Sequence, residues 1–211
     1  MGMARLEVSV RPVTAADVRP LAAVLGRAFE DDPPFVWMLP DARTRRARAG
    51  RFFGTVVRTE ALAYGAVEVA SHDGVIVGGA IWLPPGHWMP TVTEQLRSLP
   101  GFARAFGRRF RQAVALEQAM VLAHPREPHW YLFAVGVDPV HQGSGVASSL
   151  LRSRLARCDQ AGEPAYLEST KLANVPLYQH FGFEPTGPMT MPAGAPVITP
   201  MWRASTTPSG G

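Results

Sequence analysis

The sequence predicts a mixed α/β domain, and three observations point that way. Alternating apolar residues at Leu6, Val8 and Val10 and a near-continuous apolar run from Tyr131 to Val137 read as strands, the second buried on both faces. Segments with apolar residues at helical spacing separate such runs, as at Val18, Leu21, Leu25 and Phe29. Between Tyr131 and Cys158 a strand, a glycine-rich turn and a helix follow one another directly.

The remaining elements fall between these anchors. Thr14 and Asp17 have the spacing of a capping box and open the first helix, which Asp32-Pro33-Pro34 breaks. A second helical region runs from about Arg43 to Tyr64 and stops at Gly65. Residues Ala66 to Ser71, the turn His72-Asp73-Gly74 and Val75 to Leu83 form a β-hairpin, ended by Pro84-Pro85-Gly86. Thr91 to Leu122 is helical, with a break expected at Pro100-Gly101. After the glycine-rich turn come a helix with Val146, Leu150, Leu151, Leu155 and Cys158 on one stripe, a short strand at Ala165 to Glu168 and a helix from about Asn174 to Phe181. Closing strands follow near Phe183 and from Val197 to Trp202.

Composition bounds the function. A chain of 211 residues with 46% hydrophobic side chains buries a sizeable core, and no repeat or linker divides it, so residues 1–203 read as one domain. The Ser/Thr/Pro/Gly-rich segment 204–211 reads as a disordered tail. One cysteine, Cys158, excludes a disulfide framework and fits a cytoplasmic, reducing setting. Its place on the apolar stripe makes it a core residue rather than a nucleophile. No long apolar run or signal peptide is present, which argues against a membrane protein. The net charge is +4, and Lys171 is the only basic residue that is not arginine. The clusters at Arg43, Arg45, Arg46, Arg48 and Arg51 and at Arg104, Arg108, Arg109 and Arg111 share helices with apolar faces. They read as solvated surfaces rather than a nucleic-acid site. The six histidines show no metal-ligand spacing, so no metal is expected; His87 and His129, each beside a tryptophan, are weak candidates for an acceptor pocket.

The turn Gln142-Gly143-Ser144-Gly145 at a helix start exposes backbone N–H groups at the positive end of the helix dipole, a natural seat for phosphate. A P-loop needs Gly-Lys-Ser/Thr, and Val146-Ala147 follow instead. A dinucleotide fingerprint places its first glycine directly after the strand, whereas Asp138 to Gln142 intervene here, although Glu168 stands about 20 residues on. A turn that merely packs helix on strand stays open on these residues alone.

The combination Gln142-x-x-Gly145-x-Ala147, followed by Leu167-Glu168, Asn174, Leu177-Tyr178 and Phe181-Gly182-Phe183, resembles the GCN5-related N-acetyltransferase (GNAT) superfamily. Within it, Glu127 to Phe183 look like puromycin N-acetyltransferase and its actinobacterial relatives; before Glu127 only the order of elements and short segments are reminiscent. The resemblance implies a mixed central sheet flanked by helices, with a splayed strand pair forming the acetyl-CoA cleft. It implies that amides of Gln142, Gly143, Ser144, Gly145, Val146 and Ala147 hold the pyrophosphate and that Asn174 contacts pantetheine. Backbone at Val135 and Val137 would meet the thioester and pantetheine, with Gly136 suited to a bulge. Ser144 replaces the bulkier basic residue common in the family.

Acetyl transfer from a thioester to an amine needs a neutral nitrogen, a seat for the oxyanion and a proton for the thiolate. Tyr178 resembles the family's acid. Glu168, at the end of a short buried strand, is the expected base, because Tyr131 stands where some relatives carry theirs. The implied reaction is direct acetylation of a primary amine on a small molecule, an antibiotic such as puromycin included, by a monomer or homodimer without a metal. Acetylation of a protein or peptide, and a non-catalytic acyl-CoA-binding module, are the alternatives. Phe29, Trp37, Trp82 and Tyr131 are candidates for an aromatic acceptor pocket, though mostly core.

Overall fold

The structure is a computed structural model and describes residues 6–205, so the tail expected from 204 falls, beyond 205, outside the described residues. Strands β1 (Ser9–Pro12), β2 (Val67–His72), β3 (Val75–Leu83), β4 (Trp130–Val137), β5 (Ala165–Ser169), β6 (Glu184–Pro185) and β7 (Thr199–Arg203) form one sheet in the order β1-β2-β3-β4-β5-β7-β6. Only β4 and β5 pair in parallel; the other neighbours are antiparallel. Helices α1 (Val18–Ala28), α2 (Pro33–Met38), α3 (Ala42–Val56), α4 (Val92–Phe106) and α5 (Phe110–Ala123) build the layer on one face. Helices α6 (Val146–Ala161) and α7 (Val175–His180) cover the other. No helix among the described residues is long and apolar enough to cross a membrane.

Local chemistry sets several boundaries. The Thr14 N–H donates to the Asp17 carboxylate at 2.8 Å, so the expected capping box forms just ahead of α1. Asp73 and Gly74 both have positive φ (49° and 78°), giving the tight turn whose twist matches the β2–β3 hairpin. Helix α1 ends at Ala28, ahead of the proline pair, and the prolines start a short helix that periodicity did not reveal, since proline suits a first helical turn.

Three expectations are corrected. Helix α4 runs through Pro100 without a break: Gly101, Phe102, Ala105 and Phe106 press against α3, and an added Cβ at Gly101 would stand 2.3 Å from Thr55 Oγ1. Packing against a neighbour offsets the bond that proline removes, and the chain turns instead at Gly107, with φ 51°. The bulge expected at Gly136 lies at Phe133, which the β3–β4 register skips: Trp82 faces Leu132 and Ile81 faces Ala134, while Gly136 pairs regularly with Gly79. Gly136 is glycine because α1 presses on it; a Cβ there would meet Leu25 Cδ2 at 2.7 Å. Finally, the arginines of α3 are only partly a solvated face. Arg45 donates to the carbonyls of Leu39, Pro40 and Glu30, and Arg48 Nε donates to Ala105 C=O at 2.6 Å, tying α3 to its neighbours.

Helix α1 is the keystone of its layer. It crosses α3 so closely that a Cβ on Gly26 would meet Arg46 C=O at 2.7 Å. Its C-terminal end is also latched to the far side of the sheet: Thr170 donates to Asp32 at 2.5 Å and Lys171 Nζ to Asp31 at 2.7 Å. Gly26→Ala is expected to force the two helices apart and cost about 1–3 kcal/mol, read as a lower midpoint in urea with an unchanged slope. Asp32 gives a pH signature. Burial, outweighing the Thr170 hydrogen bond and the Lys171 charge, pushes its carboxyl up to about 6 from an ordinary 3.8. Between those values the folded chain holds a proton that the unfolded chain releases, so stability falls as pH rises from about 4 to about 6. Denaturant curves across that window should flatten in Asp32→Asn; an unchanged pH slope would contradict the assignment.

Candidate active site

The sheet opens where its one parallel pairing ends. β4 and β5 hold register at Trp130–Ala165, Tyr131–Tyr166 and Leu132–Leu167, and then part. The bulge at Phe133 follows at once. Because it adds one residue, Phe133 and Ala134 both face the α1–α5 layer, while Val135 and Val137 turn to the α6 side. Beyond Leu132, β4 keeps its bonds to β3 but presents its other edge to an opening instead of to β5. That opening is a cavity of about 490 Å³, within the range usual for small-molecule clefts.

One wall of the cavity is β4 from Leu132 to Val137, so Val135 and Val137 both border it. At one end the turn contributes Gln142, Gly143, Gly145, Val146 and Ala147. Gly143 and Gly145 have φ of 78° and 87°, which keeps the turn tight against the first turn of α6. Amides of a first helical turn have no acceptor within the helix and are free to bind an anion. Asp138 fixes the strand-to-turn corner by accepting a hydrogen bond from Arg27 Nε at 2.7 Å, and Gln142 Nε2 donates to Val137 C=O at 3.3 Å. Ser144 does not border the cavity. Its side chain is buried and its hydroxyl donates to His141 C=O at 2.5 Å, so it braces the turn from inside.

The opposite wall holds Asn174, Tyr178, Thr170, Lys171 and Glu168, with Asp32 and Phe29 from the α1–α2 corner. The two expected proton-transfer residues approach from different faces of the sheet. Tyr178 belongs to the α6–α7 core, and burial followed by the Asp32 charge raises its phenol above the ordinary 10, so it is protonated at neutral pH. The Glu168 side chain turns the other way, among Tyr131, Tyr166 and His124, and is only 2% exposed. Tyr131 donates to Glu168 Oε2 at 2.5 Å, and burial plus that carboxylate hold its phenol far above 10. Tyr131 therefore positions the carboxylate and has no proton to give up.

The structure adds residues that motif reading did not single out. His124, at the end of α5, lies with Nδ1 3.5 Å from Glu168 Oε1 and stacks under Trp88 with ring centres 3.8 Å apart. His129 is buried behind it, not in a surface loop, whereas His87 is exposed against Tyr64. Asp32 was read only as part of a helix break, and it reaches the cavity because the α1–α2 corner folds over the open strands. Their signal in the sequence is slight: His124 stands 44 positions from Glu168 and Asp32 is 138 from Thr170. Of the aromatic acceptor candidates, Phe29 borders the cavity, while Trp82 and Tyr131 are core.

Comparison with known proteins matches this geometry. The profile of the acetyltransferase (GNAT) family matches residues 25–183. An uncharacterized N-acetyltransferase of Schizosaccharomyces pombe is 32% identical over 187 residues, covering 83% of this chain and 74% of its own. A solved structure described as histone acetyltransferase HPA2 and related acetyltransferase, from Corynebacterium glutamicum, is 28% identical with a TM-score of 0.73, over 97% of this chain and 100% of that one. The Drosophila melanogaster polyamine N-acetyltransferase shares the fold at 16% identity and a TM-score of 0.58, over 94% and 100% of the two chains. Since the family's profile takes in most of the chain, splayed strands and glycine turn included, the chain belongs to the GNAT acetyltransferase family and is an N-acetyltransferase.

Proposed function

We propose that the protein moves an acetyl group from acetyl-CoA directly to a primary amine on a small molecule, with aminonucleosides of the puromycin type the first class to try and antibiotic inactivation as the consequence. The observation behind this reading is one cavity that joins the turn at Gln142–Ala147 to Glu168 and Tyr178. The turn amides would hold the pyrophosphate, Asn174 the pantetheine arm, and the β4 edge at Val135 and Val137 the thioester end. A small acceptor is favoured over a peptide because the segment after β3 roofs the Glu168 face. Trp88 covers His124, and Phe102 and Phe106 pack on Phe52 of α3, so side chains of that segment overlie this face.

The proton balance assigns the side chains. An ammonium entering the site loses two protons in becoming an amide; one ends on the thiol of CoA and one is released. Glu168 takes the released proton. With its carboxylate 2% exposed, it does so through a bridging water rather than by direct contact. As the carbon–sulfur bond breaks, Tyr178 donates its proton to sulfur and regains one from the attacking nitrogen. Its raised phenol suits this, because the same burial that holds the proton on oxygen also makes an unsolvated thiolate more basic. An acetylated-cysteine route has no support: Cys158 is the only cysteine, fully buried on the core face of α6, and burial pushes its thiol up to about 11.

Thiol release from acetyl-CoA across a panel of small amines, puromycin among them, and of short peptides tests the acceptor class. Turnover with small amines is expected, and turnover with peptides alone would transfer the proposal to protein acetylation. Glu168→Gln and Tyr178→Phe should each lower kcat by about 10²-fold while the KM for acetyl-CoA stays within about twofold. Full turnover in either variant removes that residue from the mechanism. Gly145→Trp should abolish CoA binding in calorimetry, since it fills the turn and strains a φ of 87°.

A further inference from the structure

Behind Glu168 lies a chain of polar groups in which hydrogen-bond chemistry fixes the protons on both histidines and on Tyr131. His129 Nδ1 is 2.6 Å from the Glu127 carbonyl, which can only accept, so Nδ1 bears the hydrogen. Burial disfavours charge on His129 and keeps it neutral, which leaves its Nε2 as an acceptor. His124 Nε2 is 3.0 Å from that nitrogen and must therefore donate to it. At the other end, Tyr131 keeps its proton and donates to Glu168 Oε2. What remains is the gap between His124 Nδ1 and the buried Glu168 Oε1, 3.5 Å apart, with the Tyr166 hydroxyl as a further neighbour of the same carboxylate. With His124 neutral and Glu168 ionised, two lone pairs would face each other there; one added proton turns the contact into a charge-assisted hydrogen bond. The groups facing the gap from the surrounding elements are Trp88 from the segment after β3, Tyr131 from β4 and Tyr166 from β5.

We infer that His124 is a positioning and proton-storing partner of Glu168, taking up through Nδ1 the proton that acetylation releases. The step rests on Glu168 being the base. The ammonium N–H breaks and an O–H forms on Glu168; that O–H then breaks as an N–H forms on His124, leaving an imidazolium paired with a carboxylate. No charge is created without a partner, and Glu168 is again ionised for the next acceptor. His129 holds the ring in the tautomer the step requires, and Trp88 holds its plane.

The test is chemical rescue. His124→Gly should lower kcat by about 10- to 100-fold with the KM for acetyl-CoA unchanged, and added imidazole should restore most of the rate. Pyrazole, of the same size but far less basic, should not. An unaltered kcat, or equal restoration by pyrazole, overturns the inference, because packing alone would then explain the residue. Nitrogen-15 NMR of the unsubstituted enzyme provides a second reading that does not depend on the variant folding. His129 should be the Nδ1–H tautomer with His124 protonated at Nε2, and an Nε2–H tautomer at His129 would break the chain. Glu168→Gln separates the two proposals. Loss of turnover there with none in His124→Gly removes the relay alone, and full turnover in Glu168→Gln removes the base itself.

Discussion

Three pairs of residues hold β4 and β5 together, and everything chemical depends on the pairing stopping at Leu132 and Leu167. A parallel ladder that continued would satisfy the β4 edge internally and leave nothing for a ligand. The extra residue at Phe133 disturbs the register on the β3 side, and the strand bends where β5 runs out at Ser169. The cost is a row of strand amides with no strand partner. In a folded chain such groups are tolerated only where water or a ligand meets them, so the defect and the cavity are one feature.

Opening a sheet in its middle weakens it, and the surrounding contacts compensate. On one face α1 seats on glycines of β3 and β4 and on α3 at backbone distance, so the β1–β4 half is held as one body with the helical layer. On the other face α6 reaches across: Arg154 and Arg157 lie within 4 Å of the buried Glu68 of β2, and the Arg154 guanidinium sits over Trp130. Asp31 and Asp32 then join the end of α1 to the segment after β5 through Lys171 and Thr170, across the opening. The splay is thus fixed from outside, as a preorganised cleft requires.

The two faces also divide the labour. The α6–α7 side supplies the glycine turn and Tyr178, and the α1–α5 side supplies Glu168 with its aromatic and histidine surroundings. Alternation along β5 explains this: Leu167 points to one core and Tyr166 and Glu168 to the other, so adjacent residues face different layers. In the proposed reaction, a donor on one side and an acceptor on the other would meet where the strands have parted.

Much of this was legible in the chain itself. The order of elements, the Asp73-Gly74 hairpin turn, the Thr14–Asp17 box and the glycine turn before α6 depend on neighbours within a few positions, and local stereochemistry writes them directly. The same holds for Glu168, Tyr178, Asn174 and the turn residues as candidates, because their spacing forms a recognisable pattern. Contacts between distant segments decided the rest. Helix α4 ignores Pro100 because α3 supports it, the bulge falls at Phe133 because β3 and β4 must both satisfy their pairings, Ser144 turns inward to His141, and His124 arrives beside Glu168 only when α5 docks. A sequence records what each residue prefers from its own neighbours; which carboxylate meets which imidazole is set by how the layers close, and that energy belongs to pairs of segments that no single stretch contains.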